Sequence, residues 1–226
     1  MIHADLHLHS IYSDGRDPPL VILKTALKRG LNVVSITDHD TFAGSIAARS
    51  LAAEHSLPIM VLYGIERRTV EGDVLVYCWH PIQLPKPLEE LIDRAKEEGC
   101  LVYPAHPYDF TRMGVGERVL DRVRGKVNGI ECFNAGCLIP EFNRKAYRYA
   151  ISSGLPCLSN SDAHVVEYVG LYRTLIEAED NSEVGVMKAL HRGLLTPRTS
   201  PIPFTALASR LSWSFRRRLG IGRHER

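Results

Sequence analysis

Short apolar runs and stretches of helical periodicity alternate along the chain. Runs rich in Val, Ile and Leu fall near residues 2–8, 32–37, 59–65, 73–79, 100–105, 128–134, 156–160 and 171–177. Between most of them lie amphipathic stretches near 18–30, 43–55, 87–98, 115–124, 139–153 and 181–192. Apolar positions recur every second residue in a strand and every third or fourth in a helix. This succession therefore predicts an α/β fold on a parallel sheet or barrel. Asp17 before Pro18-Pro19 predicts the start of the first helix, and Gly30, Gly99 and Gly154 predict the ends of three. The runs 59–65 and 73–79 follow each other with Glu71-Gly72-Asp73 available for a turn, which predicts a hairpin.

The polar positions of the first run are unusual. In a strand over residues 2–8, Ile2, Ala4, Leu6 and Leu8 share one face, while His3, Asp5, His7 and His9 share the other. Two imidazoles at i and i+2 can chelate one cation, with an acidic residue behind them fixing the tautomer. Later apolar runs end in the same residue types: Thr37-Asp38-His39-Asp40, Gly64-Ile65-Glu66, Ala105-His106-Pro107 and Ser161-Asp162-Ala163-His164. Ligands at the C-terminal ends of several strands are what a parallel barrel with its site at one mouth produces.

Composition narrows the class. The 226 residues, 45% of them hydrophobic, suffice for a sizeable core in one domain of barrel size. The longest apolar stretch, near Leu57 to Ile65, is far shorter than the ~20 residues of a membrane span, so no stable membrane insertion is expected. The N-terminus has no pattern of a secretion signal. Cys78, Cys100, Cys132, Cys137 and Cys157 are odd in number and show no Cys-x-x-Cys spacing, and are expected to be buried reduced thiols in a cytoplasmic protein. Residues 1–203 form the expected main domain, and 204–226 an amphipathic helix with a basic tail: Leu207 to Arg226 carry six Arg and one Glu, and Phe204, Leu207, Leu211 and Phe215 recur at helical spacing. Two readings stand for this segment, a helix packed on the barrel with a solvated tail, or a contact with nucleic acid or an anionic surface.

The ordered motifs Asp5-x-His7-x-His9, Tyr12-Ser13-Asp14-Gly15, Ile36 to Asp40, Gly64-Ile65-Glu66, Ala105-His106-Pro107, Gly129-Ile130-Glu131 and Ser161 to His164 resemble those of the polymerase and histidinol phosphatase (PHP) family of metal-dependent phosphoesterases. The resemblance runs from about Met1 to about Arg198 and is closest to the small single-domain members. It implies a distorted (β/α)7 TIM-like barrel, with two or three divalent metal ions at the C-terminal mouth. It further implies that His7, His9, Glu66 and Asp162 hold a first ion, that Glu66 bridges to a second held also by His106, and that Asp14, His39 and His164 hold a third. Glu66, His106 and Asp162 then form the catalytic centre. Imidazole and carboxylate without thiolate suit Zn²⁺, Mn²⁺ or Fe²⁺, and such ions clamp the attacking and leaving oxygens of a phosphoryl group. One position departs from the pattern: Asp73 stands where the small members carry a histidine, giving a harder second site that favours Mn²⁺ or Mg²⁺, or else a weak or empty one. His80 lies at an odd offset from Asp73 and is expected to be structural or on the surface.

Asp5 and Asp38 are candidate ligands, but the favoured expectation places them behind the ligands, as acceptors for imidazole N–H groups. Glu131 is a candidate to line the substrate pocket or to make an internal hydrogen bond. Arg112 is a candidate bidentate donor to a substrate phosphate, or a solvated loop residue. His3, His55 and His191 are expected to be structural, and His224 belongs to the tail. The expectation is a metal-dependent phosphoesterase that hydrolyses a phosphomonoester, nucleotide or nucleic-acid end with a metal-activated water. The rivals are an amidohydrolase on a similar barrel and a non-catalytic metal-binding module. The oligomeric state is left open.

Overall fold

The first apolar run forms β1 (Ile2–Leu8) in the computed structural model, which describes residues 1–221. There follow α1 (Pro19–Lys28), β2 (Val33–Ile36), α2 (Ala43–Glu54), β3 (Met60–Val61), β4 (Tyr63–Arg68), β5 (Asp73–Cys78), α3 (Leu88–Glu97) and β6 (Leu101–Pro104). After a 3₁₀ turn at Phe110–Arg112 come α4 (Glu117–Val123), β7 (Ile130–Asn134), α5 (Pro140–Ser153), β8 (Cys157–Asn160), β9 (Arg173–Ile176), α6 (Glu183–Arg192), β10 (Leu195–Arg198) and α7 (Phe204–Arg218). The tail position His224 lies outside the described residues.

The strands pair in three sheets, ordered β10-β9-β1-β2-β3, β4-β5-β6 and β7-β8. β1, β2 and β3 run parallel, as do β7 and β8, in keeping with the strand–helix alternation. The hairpin forms between β4 and β5, with Arg68 opposite Asp73. β9 lies antiparallel to β1 and β10 antiparallel to β9. Single bridges between Leu8 and Ala163 and between His39 and Glu66 join the sheets at the end where the candidate residues cluster. Among the described residues no continuous ladder closes a ring. The fold is mixed α/β.

Both faces of β1 are covered. Ala4, Leu6 and Leu8 are fully buried among apolar side chains, and Asp5, His7 and His9 are buried on the other face. A strand of a parallel sheet loses water on both faces, so polar groups on β1 must find partners inside the protein. Asp17 does not cap α1; its carboxylate accepts the Val166 N–H, and Pro18 precedes the helix. The cysteines depart from expectation. Cys78 is bonded to Cys100 and Cys132 to Cys157, leaving Cys137 free. Sheet pairing brings the Cα atoms of each pair to 4.4 and 5.5 Å, a proximity that sequence separations of 22 and 25 do not reveal. No helix among the described residues is long and apolar enough to cross a membrane.

Candidate metal centre

His7 projects from β1, and His9 follows that strand directly. Glu66 projects from β4, and His39, His106, Asp162 and His164 lie in the segments after β2, β6 and β8. Asp14 belongs to the loop that leaves β1. The strand ends thus converge on one carboxylate. Glu66 Oε2 lies 3.2 Å from His7 Nε2, 3.2 Å from His9 Nε2 and 3.1 Å from His39 Nδ1, while Oε1 lies 3.1 Å from His106 Nε2. Asp162 Oδ1 is 3.2 Å from His9 Nε2 and 3.5 Å from His7 Nε2. Toward the solvent side, His164 Nε2 is 3.1 Å from Asp14 Oδ1, and His39 Nε2 is 3.8 Å from Asp14 Oδ2. Eight of the nine sequence-predicted ligand candidates are thus gathered in one place, and the ninth, Asp73, adjoins His39 and Glu66.

Backbone conformation is bent to achieve this. His106 and Asp162 have φ of 29° and 50°, in the left-handed region that non-glycine residues seldom adopt. Gly136 is required by close approach. A Cβ there would stand 2.7 Å from Arg112 Nη1, Asn134 Oδ1 and Asp162 Oδ2.

Several buried polar atoms in the cluster have no hydrogen-bond partner: His7 Nε2, both ring nitrogens of His9, Asp14 Oδ1, His39 Nδ1, Asp73 Oδ1 and His106 Nδ1. Stranded lone pairs inside a protein are costly, and their convergence fits a cation. Four sets of donors have their ligand atoms within 4.8 Å of one another: His9, Asp14, His39 and His164; His7, His106 and Asp162; His7, His9 and Glu66; and His39, Glu66 and Asp73. Asp73 thus falls in one set with His39 and Glu66.

The electrostatics follow from the same crowding. Burial alone would raise the carboxyls of Glu66 and Asp162. His7, aided by His39 at Glu66 and by Arg112 at Asp162, instead holds both well below the carboxylate range. Against burial, the carboxylates raise His9 to about 9 and His7 well above its ordinary value. Burial pushes His39 and His164 down to about 3, so both imidazoles are neutral, as a metal ligand requires. Burial and the charge of Glu66 push the Asp73 carboxyl up to about 8. These carboxylates favour positive charge in their midst.

The groups behind the ligands differ from those expected. Asp5 accepts from Ser161 N, Ser161 Oγ and Gly170 N at 3.1, 2.6 and 2.7 Å, and so holds the segment that carries Asp162 and His164. Asp38 accepts from Ser10 N, Ser10 Oγ and Ser13 Oγ, and so holds the loop that carries Asp14. Neither touches an imidazole. The group behind His7 is Glu131, whose carboxylate accepts from His7 Nδ1, Asn160 Nδ2, Asn134 Nδ2 and the His106 N–H at 2.8–2.9 Å. Asn134 and Asn160 escaped the sequence reading. Their signal was position, each at the end of a strand beside a chemically rich motif. Arg112 is bound inward, to Asp109, Asp162 and Asn134. His80 is exposed, 3.5 Å from Glu98.

α7 reaches the rim of this cluster. Trp213 Nε1 donates to the Asp14 carbonyl at 2.9 Å, Arg217 contacts the Asp14 carboxylate, and Arg210 donates to the Gly136 carbonyl at 2.8 Å. Arg16 donates to Ser209 Oγ at 2.8 Å.

Comparison with known proteins bears on this arrangement. Residues 5–111 match the PHP domain family model, and residues 140–194 the PHP-associated model. An uncharacterized protein of Methanocaldococcus jannaschii is 35% identical over 145 residues, 58% of this chain and 81% of its own. A phosphoribosyl 1,2-cyclic phosphate 1,2-diphosphodiesterase of Eggerthella lenta is 45% identical over 62 residues, 27% of this chain and 23% of that enzyme. The crystal structure of a two-domain protein of Bacteroides vulgatus containing a predicted PHP-like metal-dependent phosphoesterase superposes with a TM-score of 0.73 at 21% identity, covering 88% of this chain and 65% of that one.

Proposed function

Because this chain belongs to the PHP family, we propose that it hydrolyses a phosphate ester, a phosphomonoester or the phosphate of a nucleotide or nucleic-acid end, with two or three divalent ions bound among the clustered side chains. The observation that carries the reading is Glu66, buried with both oxygens facing four imidazoles amid unpartnered ring nitrogens. In this reading the three sheets are the walls of a distorted seven-unit barrel with the cluster at its mouth.

We assign His7, His9, Glu66 and Asp162 to a first ion and Glu66 with His106 to a second. Asp14, His39 and His164 take a third. Asp73 serves the second ion or, given its nearness to His39, sits between the second and third. Nitrogen and oxygen donors without thiolate suit Zn²⁺, Mn²⁺ or Fe²⁺. Ions held there lower the pKa of water and neutralise the charge of the phosphoryl oxygens. The chain's own residues do the rest. Glu131 fixes the His7 tautomer by accepting at Nδ1, which leaves Nε2 turned toward Glu66 and Asp162. Arg112, itself fixed by Asp109 and Asn134, keeps Asp162 ionised and oriented.

The test joins elemental analysis of protein purified without chelator to a hydrolysis screen over phosphomonoesters, mononucleotides and a single-stranded oligonucleotide. The expected result is at least two ions per chain and turnover of one ester class that chelator abolishes. Less than about half an equivalent, not restored by added Mn²⁺ or Zn²⁺, would sink the metal-cluster reading.

A further inference from the structure

α7 has two opposite faces, and only one of them is used by the fold. Ala206, Arg210, Trp213 and Arg217 lie on the face that meets the barrel, where Ala206 is buried and the other three contact Gly136, Tyr168 and Asp14. Half a turn away, Phe204, Ala208, Leu211, Phe215 and Leu219 recur at offsets of four, three, four and four, one stripe on a 3.6-residue helix. Nothing covers this stripe among the described residues. Phe204 is 82% exposed, Phe215 65%, Leu219 58% and Leu211 51%. The exposed Arg216 and Arg218 flank it.

We propose that the outer face of α7 docks on an anionic membrane surface, with Phe204, Leu211, Phe215 and Leu219 entering the headgroup–acyl boundary and Arg216 and Arg218 meeting lipid phosphates. Charge selects this occupant. The sequence has no Asp or Glu between Glu183 and Glu225, whereas the rest of the chain mixes both signs. A second copy packed stripe to stripe in parallel would bring the arginines of both helices together, and one packed antiparallel would set them beside the apolar Phe204 end, in either case with no carboxylate on either helix to offset them. Nucleic acid would satisfy the arginines and leave the aromatic and leucine side chains in water. An anionic bilayer satisfies both. The Asp14 contacts of Trp213 and Arg217 fix which way the stripe faces, so the surface is presented ready-made. The inference is independent of the hydrolase reading, because the stripe takes no part in the metal cluster.

The test is co-sedimentation of the full-length, metal-loaded protein with vesicles of phosphatidylcholine alone and of phosphatidylcholine with about 30% phosphatidylglycerol, at low and high salt. Binding should be about tenfold or more tighter to the anionic vesicles and should weaken in high salt. Leu211→Ser with Phe215→Ser should abolish it, and Arg216→Glu with Arg218→Glu should reduce it about tenfold or more, each with an unchanged far-ultraviolet circular dichroism spectrum and metal content. Equal binding by wild type and the Ser variant overturns the proposal, as does no binding to anionic vesicles. A dimer in sedimentation equilibrium that Phe215→Ser dissociates, or binding of an oligonucleotide without vesicle binding, assigns the stripe elsewhere and equally overturns it.

Discussion

The inner and outer halves of the cluster are built by different means. At the floor, His7, Glu66 and Asp162 are 0–2% exposed at their side chains and are held by strand ends and by the Glu131 network. At the rim, Asp14, His39 and His164 are 16–18% exposed, and α7 touches Asp14. The ligands of floor and rim alike fall within the two family-matched segments, whereas Glu131 lies between these segments and α7 beyond both. Buried charges must be satisfied from all sides, so the floor tolerates little change. The rim is partly solvated, and water can replace a lost partner there.

The sharpest break of this contrast is at Glu66. Glu66→Gln should lower hydrolysis by more than about a hundredfold and remove bound metal, since one neutral amide cannot hold two cations. Single-turnover rates and elemental analysis on the same preparation check it. Near-normal turnover with full metal content would mean that the floor does not depend on this carboxylate.

Glu131→Gln should come next, with a loss of about 10–100-fold in metal affinity or activity. Oε1 accepts from His7 and Asn160 and Oε2 from His106 and Asn134, so a Gln amide must set its own N–H₂ against two donors whichever way it turns. Each donor left unmet costs about 1–3 kcal/mol, which chemical denaturation of the metal-free protein measures.

Asp73 lies between the two halves. Asp73→Ala should cost about one bound ion, and Asp73→His should restore it while shifting preference from Mn²⁺ toward Zn²⁺, because imidazole is the softer donor. Identical stoichiometry and preference in wild type and both variants would make Asp73 a residue of the hairpin alone.

The smallest effect is expected at the rim. Arg217→Ala removes a partly exposed ion pair with Asp14, worth about 0–1 kcal/mol, and should change turnover less than about fivefold. Because the guanidinium and a cation compete for one carboxylate, metal titration should show the weakest-bound ion held equally or slightly more tightly. A loss as large as that of Glu66→Gln would erase the distinction between floor and rim.

Much of the site is legible in the chain because its ligands sit next to apolar runs. His7 and His9 occupy one face of β1 by the two-residue period, and Asp38-His39, His106 and Asp162 to His164 mark where runs end. The supporting contacts are not legible in the same way. Asp5 and Asp38 carry the residue type of an imidazole partner, yet their oxygens go to serine segments 156 and 28 residues away. Glu131 reaches His7 across 124 residues, and no local pattern encodes that distance.

The sequence by itself determined the alternation of elements, the hairpin at β4 and β5, the residue types of a cation site and their order along the chain, because periodicity and turn chemistry act over a few residues. Tertiary structure alone decided the antiparallel entry of β9 and β10, the pairing of Cys78 with Cys100 and Cys132 with Cys157, the role of Glu131 behind His7, and the placement of α7 against Asp14. Each of these depends on which surfaces meet when the sheets and helices pack. That is settled by burial and hydrogen bonding summed over the whole chain, and no single stretch of it carries the information.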